Sequence, residues 1–255
     1  MEKYNKDSWQ ELVGRIEETG VDMFELNLSC PHGHPEDGMG AAMGQNPDMV
    51  REVTGWVAEV TDLPIWAKMT PDIQDITVPA KASMEGGASG IAAINTIPSI
   101  LNIDLDTLAP KPSVEGHSTP GGYSYYAVKP IALRMVSQIG RGVPEAEISG
   151  IGGVISSQEA IEFILMGSST VQVCTGVMLQ GYEMVEEMCQ GLSNFMDKHG
   201  FKTVREFVGR SLQYLTTHHD LAEKRLAKKA GSLRSNRDNN WTGNIKKETD
   251  ELVSK

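Results

Sequence analysis

A chain of 255 residues, 40% hydrophobic and 22% charged, can build one large α/β domain or two small ones. A formal net charge of -11 and a pI near 5.0 argue against a general nucleic-acid binder. No apolar run approaches the roughly 20 residues of a membrane span, and Met1-Glu2-Lys3-Tyr4-Asn5-Lys6-Asp7 lacks the apolar core of a secretory signal, so a cytoplasmic location is expected. Cys30, Cys174 and Cys189 are widely spaced without a CxxC pair, so neither a disulfide framework nor a structural zinc or iron–sulfur site is expected.

The first helix is expected over residues 4–19, with Asp7 or Ser8 as N-cap, Trp9, Leu12, Val13 and Ile16 on one face, and Gly20 at its end. A strand follows over residues 23–29. Asn46-Pro47-Asp48 starts a second helix, with Met49, Val50, Val53, Val57 and Val60 apolar, and Leu63-Pro64 introduces a strand over residues 65–70. A helix at 76–85 stops at Gly86-Gly87 and leads to a strand at 91–96. Residues 97–127, rich in Gly, Pro and Ser, are too long for a mere connector and are expected to be functional and not regular throughout.

Residues 128–139 read as a helix that takes Pro130 in its first turn, before a strand at 147–150, the turn Gly152-Gly153, a helix at 157–166 and a strand at 170–175. Helices at 182–199 and 204–214 end the series. About five alternations of strand and helix indicate βαβ units around a parallel sheet. The glycine turns come late in the chain, which is the habit of a (β/α)8 TIM barrel rather than of a doubly wound sheet. The barrel portion is expected at residues 1–216. Residues 217–255, with Lys224, Arg225, Lys228, Lys229, Arg234 and Arg237, form a polar basic tail, either solvated or, as Trp241 suggests, partner-docking.

Loops at the carboxyl ends of parallel strands converge on one face, and the polar residues of this chain gather at those ends. In Phe24-Glu25-Leu26-Asn27-Leu28-Ser29-Cys30-Pro31-His32-Gly33, Asn27 can read an amide edge and Cys30 carries a weakly acidic thiol; alone, Cys30 also reads as a small buried residue. Lys68, within the apolar strand before Pro71, can stabilise a developing anion in a dry site, or be a salt-bridged strand lysine. Asn95-Thr96 ends the next strand on the same face, although Asn before Pro98 is also turn chemistry. Ile151-Gly152-Gly153 and Cys174-Thr175-Gly176 both run from strand toward helix and can offer backbone N–H groups to a phosphate.

These segments, together with Ala67-Lys68-Met69-Thr70-Pro71, Gly121-Gly122-Tyr123-Ser124, Lys129-Pro130-Ile131-Ala132-Leu133 and Val171-Gln172-Val173-Cys174-Thr175, occur in the order of one family. The chain resembles the catalytic subunits of bacterial dihydropyrimidine dehydrogenases, relatives of the dihydroorotate dehydrogenases, over most of residues 4–209. The resemblance implies FMN in a (β/α)8 barrel and reduction of the 5,6 double bond of uracil or thymine. Cys30 is then the general acid and the flavin the hydride donor. Asn27, Ser29, Asn95 and Thr96 match substrate positions, Lys68 matches the lysine at the flavin ring, and Ile151, Gly152, Gly153, Cys174 and Thr175 match the phosphate cradle. NAD(P)H and FAD are implied on a partner subunit, with no iron–sulfur cluster in this chain.

His32 after Ser-Cys-Pro resembles the dihydropyrimidine branch, whereas dihydroorotate enzymes carry Asn there. The chain departs from the family in three respects. The family has three barrel strands before a position like Tyr4, so an incomplete barrel of about five strands that does not hold FMN tightly by itself is expected. Tyr125 stands where the family has a phosphate-side Gly, and a side chain there crowds the backbone approach. The ferredoxin-like C-terminal module of the bacterial subunit is absent. Two other readings follow: a dihydroorotate dehydrogenase of pyrimidine synthesis, and an inactive partial barrel that serves only in binding or assembly.

Overall fold

The computed structural model describes residues 5–31, 33 and 37–230. The expectations for His32, Arg234, Arg237 and Trp241 therefore lie outside the described residues. The chain divides into two compact units, residues 1–212 and 213–255.

The first unit is built on five strands, β1 (Phe24–Asn27), β2 (Ile65–Lys68), β3 (Gly90–Ala93), β8 (Glu147–Ile151) and β9 (Thr170–Gln172), all parallel and ordered β1-β2-β3-β8-β9. The intervening helices are α1 (Lys6–Glu17), α2 (Ala41–Gly44), α3 (Pro47–Ala58), α4 (Thr77–Glu85), α5 (Lys129–Gly142), α6 (Ser157–Leu165), α7 (Thr175–Gln180) and α8 (Glu183–His199). Five parallel strands alternating with helices agree with the incomplete-barrel reading. Among the described residues β1 and β9 each have one strand neighbour.

Local chemistry explains the element ends. Asn46 accepts hydrogen bonds from the N–H groups of Asp48 and Met49, and Pro47 opens α3 with its φ already helical. Asn5 caps α1 by accepting from Ser8 N, so the cap lies upstream of Asp7 and Ser8, the expected positions. Ser156 caps α6 by accepting from Gln158 N, and its hydroxyl donates to Glu159, three residues on.

Register separates the two faces of the sheet, since paired residues on parallel strands point the same way and side chains alternate. Phe24, Leu26, Ile65, Ala67, Ile91, Ala93 and Ile148 face outward and are buried. Val50, Val53 and Val57 of α3, Val136 and Ile139 of α5 and Phe163 of α6 join the same core. The opposite face carries Glu25, Asn27, Trp66, Lys68, Gly90, Ser149, Ile151 and Gln172. Trp66 lies across Gly90, where an added Cβ would come within 2.6 Å of the indole ring.

The sheet curls around this second face. Gln172 Nε2, on the edge strand β9, donates to Glu25 Oε2 on the other edge strand β1 at 2.6 Å. Two edges separated by three strands meet only if the sheet bends toward closure, so the polar face is concave.

Residues 97–127 are not regular throughout, as expected, and hold only short elements. Two antiparallel ladders form there: β4 (Ile97–Ser99) pairs with β7 (Gly121–Tyr123), and β5 (Asn102–Ile103) with β6 (Pro110–Lys111). The strands are two or three residues long, below what hydrophobic periodicity can signal. The helix expected at 204–214 is instead two short 3-10 turns, Val204–Glu206 and Leu212–Tyr214. Between them, Gly209 N and Ser211 N donate to the Ile164 and Leu165 carbonyls, so these donors serve the end of α6 and not a helix of their own.

In the second unit, α9 (His218–Ala230) starts with Asp220 N donating to Thr217 Oγ1 and Thr216 Oγ1 donating to Asp220. Hydrogen bonds from Thr216 and Thr217 hold the Asp220 carboxyl below its ordinary range. Among the described residues no helix is long and apolar enough to cross a membrane.

Candidate active site

A cleft of about 340 Å³ opens where the carboxyl ends of the five strands converge on the concave side. Its lining brings together Asn27, Lys68, Asn95, Thr96, Ile151, Gly152, Gly153, Cys174 and Thr175 of the expected set. These positions are up to 148 residues apart in sequence, and only the parallel topology makes them neighbours.

At one end stands a group of amides and hydroxyls. Asn95 Nδ2 donates to Ser29 Oγ at 2.9 Å and to Asn27 Oδ1 at 3.2 Å, while Asn95 Oδ1 accepts from Thr96 N at 2.8 Å. Asn95 is held in place because its own N–H continues the sheet, donating to the Met69 carbonyl at 2.9 Å. Ser29 is buried beneath the two amides and supports them without lining the cleft. With its oxygen occupied, Asn27 has its amide –NH₂ for a ligand carbonyl.

Beside them Lys68 Nζ donates to Glu25 Oε1 at 2.8 Å and to Gln172 Oε1 at 2.9 Å. Lys68 is thus both a salt-bridged strand lysine and a cation at the cleft floor. Glu25 and Gln172 were not among the residues expected from sequence. Their signal was the period of two: Glu25 must face the same way as Asn27, and Gln172 shares a face with Ile151 by register.

The other end is backbone. Gly152 and Gly153 take φ of +130° and +76°, which side-chain-bearing residues rarely adopt, and a Cβ on Gly153 would come within 2.8 Å of the Tyr125 carbonyl oxygen. Strand β9 stops at Gln172, so Cys174 lies before α7 and Thr175 opens it, with Thr175 Oγ1 3.4 Å from Ser124 Oγ. The segment Ser124-Tyr125 therefore closes over both βα turns.

Cys30 is not in this cleft. It is half-buried at an adjoining cavity with Trp9, Met39 and Met43, and Glu25 and Asn27 form the wall that the two cavities share.

The family described as dihydroorotate dehydrogenase matches residues 1–196. The chain belongs to the dihydroorotate dehydrogenase family. Within it, the chain is 53% identical to the chloroplastic dihydropyrimidine dehydrogenase (NADP(+)) of Arabidopsis thaliana, over 100% of this chain and 62% of that protein. It is 44% identical to the NAD-dependent dihydropyrimidine dehydrogenase subunit PreA of Escherichia coli K12, over 85% of this chain and 53% of that protein. The dihydroorotate dehydrogenase B (NAD(+)) catalytic subunit of Pyrococcus horikoshii is 40% identical over 76% of this chain and 61% of its own length. The chain spans between half and two thirds of these relatives.

Tyr125 is the local conflict in this family member. It holds φ 72° and ψ -159°, a backbone region that is essentially reserved for glycine. Tyr125→Gly is expected to raise stability by about 1 kcal/mol, the low end for relief of one such strained residue. Denaturant unfolding midpoints measure it; an unchanged or lower midpoint would show that packing of the Tyr125 side chain outweighs the strain.

Proposed function

We propose that residues 1–216 supply the FMN- and pyrimidine-binding cleft of a dihydropyrimidine dehydrogenase, which reduces the 5,6 double bond of uracil or thymine. The observation that carries this reading is the convergence of Asn27, Ser29 and Asn95 beside Lys68, with the Gly152-Gly153 turn at the far end of one cleft. Its chemistry fits FMN: amides and a cation suit the ring system, and a turn free of Cβ atoms lets backbone approach a phosphate. Identity to two dihydropyrimidine dehydrogenases supports the pyrimidine assignment.

In this reading Asn27 and Asn95 orient the imide edge of the pyrimidine, with Ser29 and Thr96 fixing their side chains. Cys30 is the general acid for pyrimidine C5 in this reading, its thiol, at the adjoining cavity, having to pass the Glu25 and Asn27 wall to reach a ring in the cleft. Lys68 stabilises negative charge at the ring end of the cleft, and Ile151, Gly152, Gly153, Cys174 and Thr175 hold the phosphate end. When bound, FMN supplies hydride to C6, which with the proton at C5 completes the saturated ring. NAD(P)H provides the electrons through an FAD-bearing partner subunit.

Titration of the protein into FMN, followed by flavin fluorescence, tests the assignment. Saturable binding is expected, weak for this chain by itself, with uracil then perturbing the flavin spectrum more than orotate does. Absence of saturation at millimolar FMN would sink the flavin assignment, and a stronger response to orotate would move the substrate to dihydroorotate chemistry.

A further inference from the structure

Glu25 has no task in the reading above, yet both of its carboxylate oxygens are engaged on the concave face. Oε1 accepts from Lys68 Nζ at 2.8 Å and Oε2 accepts from Gln172 Nε2 at 2.6 Å. Lys68 in turn donates to Gln172 Oε1 at 2.9 Å, so three side chains from β1, β2 and β9 close a ring of hydrogen bonds. Two of these strands are the sheet's opposite edges. Glu25 thereby ties the curl of the sheet to the place where the lysine is held.

The ring has an electrostatic consequence. The Lys68 side chain is 11% exposed and that of Glu25 35%, so water screens the pair only in part. A carboxylate in direct contact with an ammonium cancels much of its field at any third group. Gln172, a neutral amide, holds geometry without adding charge. The cleft therefore has a cation whose position and effective charge are both set by its neighbours.

We propose that Glu25 is a positioning residue for Lys68 that also masks its charge, so that the cleft stabilises a reduced, anionic ligand less strongly than a bare lysine would. This rests on the assignment of the cleft to FMN. Lys68 is the group that acts on the ligand, and Glu25 acts through it. Glu25→Gln keeps an oxygen that can accept from Lys68 and removes the negative charge, which unmasks the cation; its –NH₂ replaces the oxygen that accepts from Gln172 Nε2, so that one bond is given up. Glu25→Asp keeps the charge, and Gln172→Glu adds a second one.

The experiment titrates the full chain and its variants with oxidised and with reduced FMN, the ratio of the two affinities giving the shift in reduction potential. Glu25→Gln is expected to favour the reduced form by roughly tenfold, equivalent to about 30 mV for a two-electron couple. Glu25→Asp should stay near the parent, while Gln172→Glu and Lys68→Met should move the ratio the other way. A purely structural Glu25 would lose affinity for both forms without that pattern of signs. If Glu25→Gln fails to fold, the sign of the Gln172→Glu shift decides. An unchanged ratio, or one displaced toward the oxidised form in Glu25→Gln, overturns the masking role while leaving the flavin assignment standing. Absence of flavin binding by the parent overturns both.

Discussion

Cys30→Ala is expected to lower pyrimidine turnover by roughly 10²–10⁴-fold, the span associated with loss of a positioned general acid, while leaving pyrimidine binding largely intact. The backbone around the thiol is held independently of the side chain. The Cys30 carbonyl accepts from Gly33 N at 3.3 Å and Ala41 N at 3.0 Å, which holds Gly33 and Ala41 against Cys30. Close approach enforces glycine at this contact, because a Cβ on Gly40 would come within 2.4 Å of the same carbonyl oxygen. Trimming Sγ alters none of these bonds. Half-buried and outside the main apolar core, Cys30 contributes modestly to packing.

In the proposed function its value is therefore chemical. Steady-state turnover with the partner subunit present, together with the spectral response of bound flavin to uracil, separates the two roles. Turnover near the parent level in Cys30→Ala would remove the thiol from the proton step and leave it as the small packed residue that composition also allows.

Lys129→Met should destabilise the first unit by about 3 kcal/mol, near the low end for breaking a buried ion pair from one side. Lys129 opens α5 and reaches Glu162 Oε2 at 2.9 Å and Glu159 Oε1 at 3.4 Å on α6. Its side chain is 12% exposed, that of Glu159 6% and that of Glu162 33%, so the low end is the appropriate figure. Two carboxylates share one cation here, and removing the cation leaves both facing each other. Ser156 Oγ donates to Glu159 at 2.6 Å and offsets part of that cost. Lys129 also packs closely on the Gly152-Gly153 turn, where a Cβ on Gly153 would lie 3.0 Å from Lys129 Cβ.

The pH dependence follows from the same contacts. Burial works against the charged form of Glu162, and hydrogen bonds from Lys129 and Gln158 outweigh it, holding its carboxyl below the ordinary 4.5. Burial likewise opposes the Lys129 ammonium, and the bond to Glu162 outweighs it, raising its pKa above 10.5. A depressed carboxyl contributes stability above pH 4.5 that is lost as pH falls through its folded value. A raised ammonium contributes below pH 10.5 and loses it as pH rises through its folded value. Denaturant unfolding of the parent should therefore show extra stability between these limits, and Lys129→Met should lack it there, the two curves converging at both flanks. Parent and variant curves that coincide at every pH would show that the pair is neutral in stability.

The order and kind of the main elements were legible in the chain because their signals are local. Apolar residues recur along α3 and α5, Asn46-Pro47 marks a helix start, and β1, β2, β3, β8 and β9 each lie in a short run rich in apolar residues. The family, too, was legible from short motifs in order. Asn27, Lys68, Asn95 and the Gly152-Gly153 turn could be named as site residues because each sits at the end of such a run.

What the chain by itself left open depends on contacts between distant segments. The ladders of β4 with β7 and β5 with β6 are pairings of two or three residues, too short to leave a period. The 3-10 turns after Thr203 owe their form to α6, whose terminal carbonyls take the N–H groups of Gly209 and Ser211. Placement of Cys30 outside the main cleft goes with the hydrogen bonds that bring Gly33 and Ala41 back to its carbonyl. The Glu25–Lys68–Gln172 ring was the least accessible, because no local rule pairs residues 25 and 172. Curvature of the sheet brings its two edges within hydrogen-bonding distance, and curvature is a property of how strands twist and pack together, which no single segment encodes.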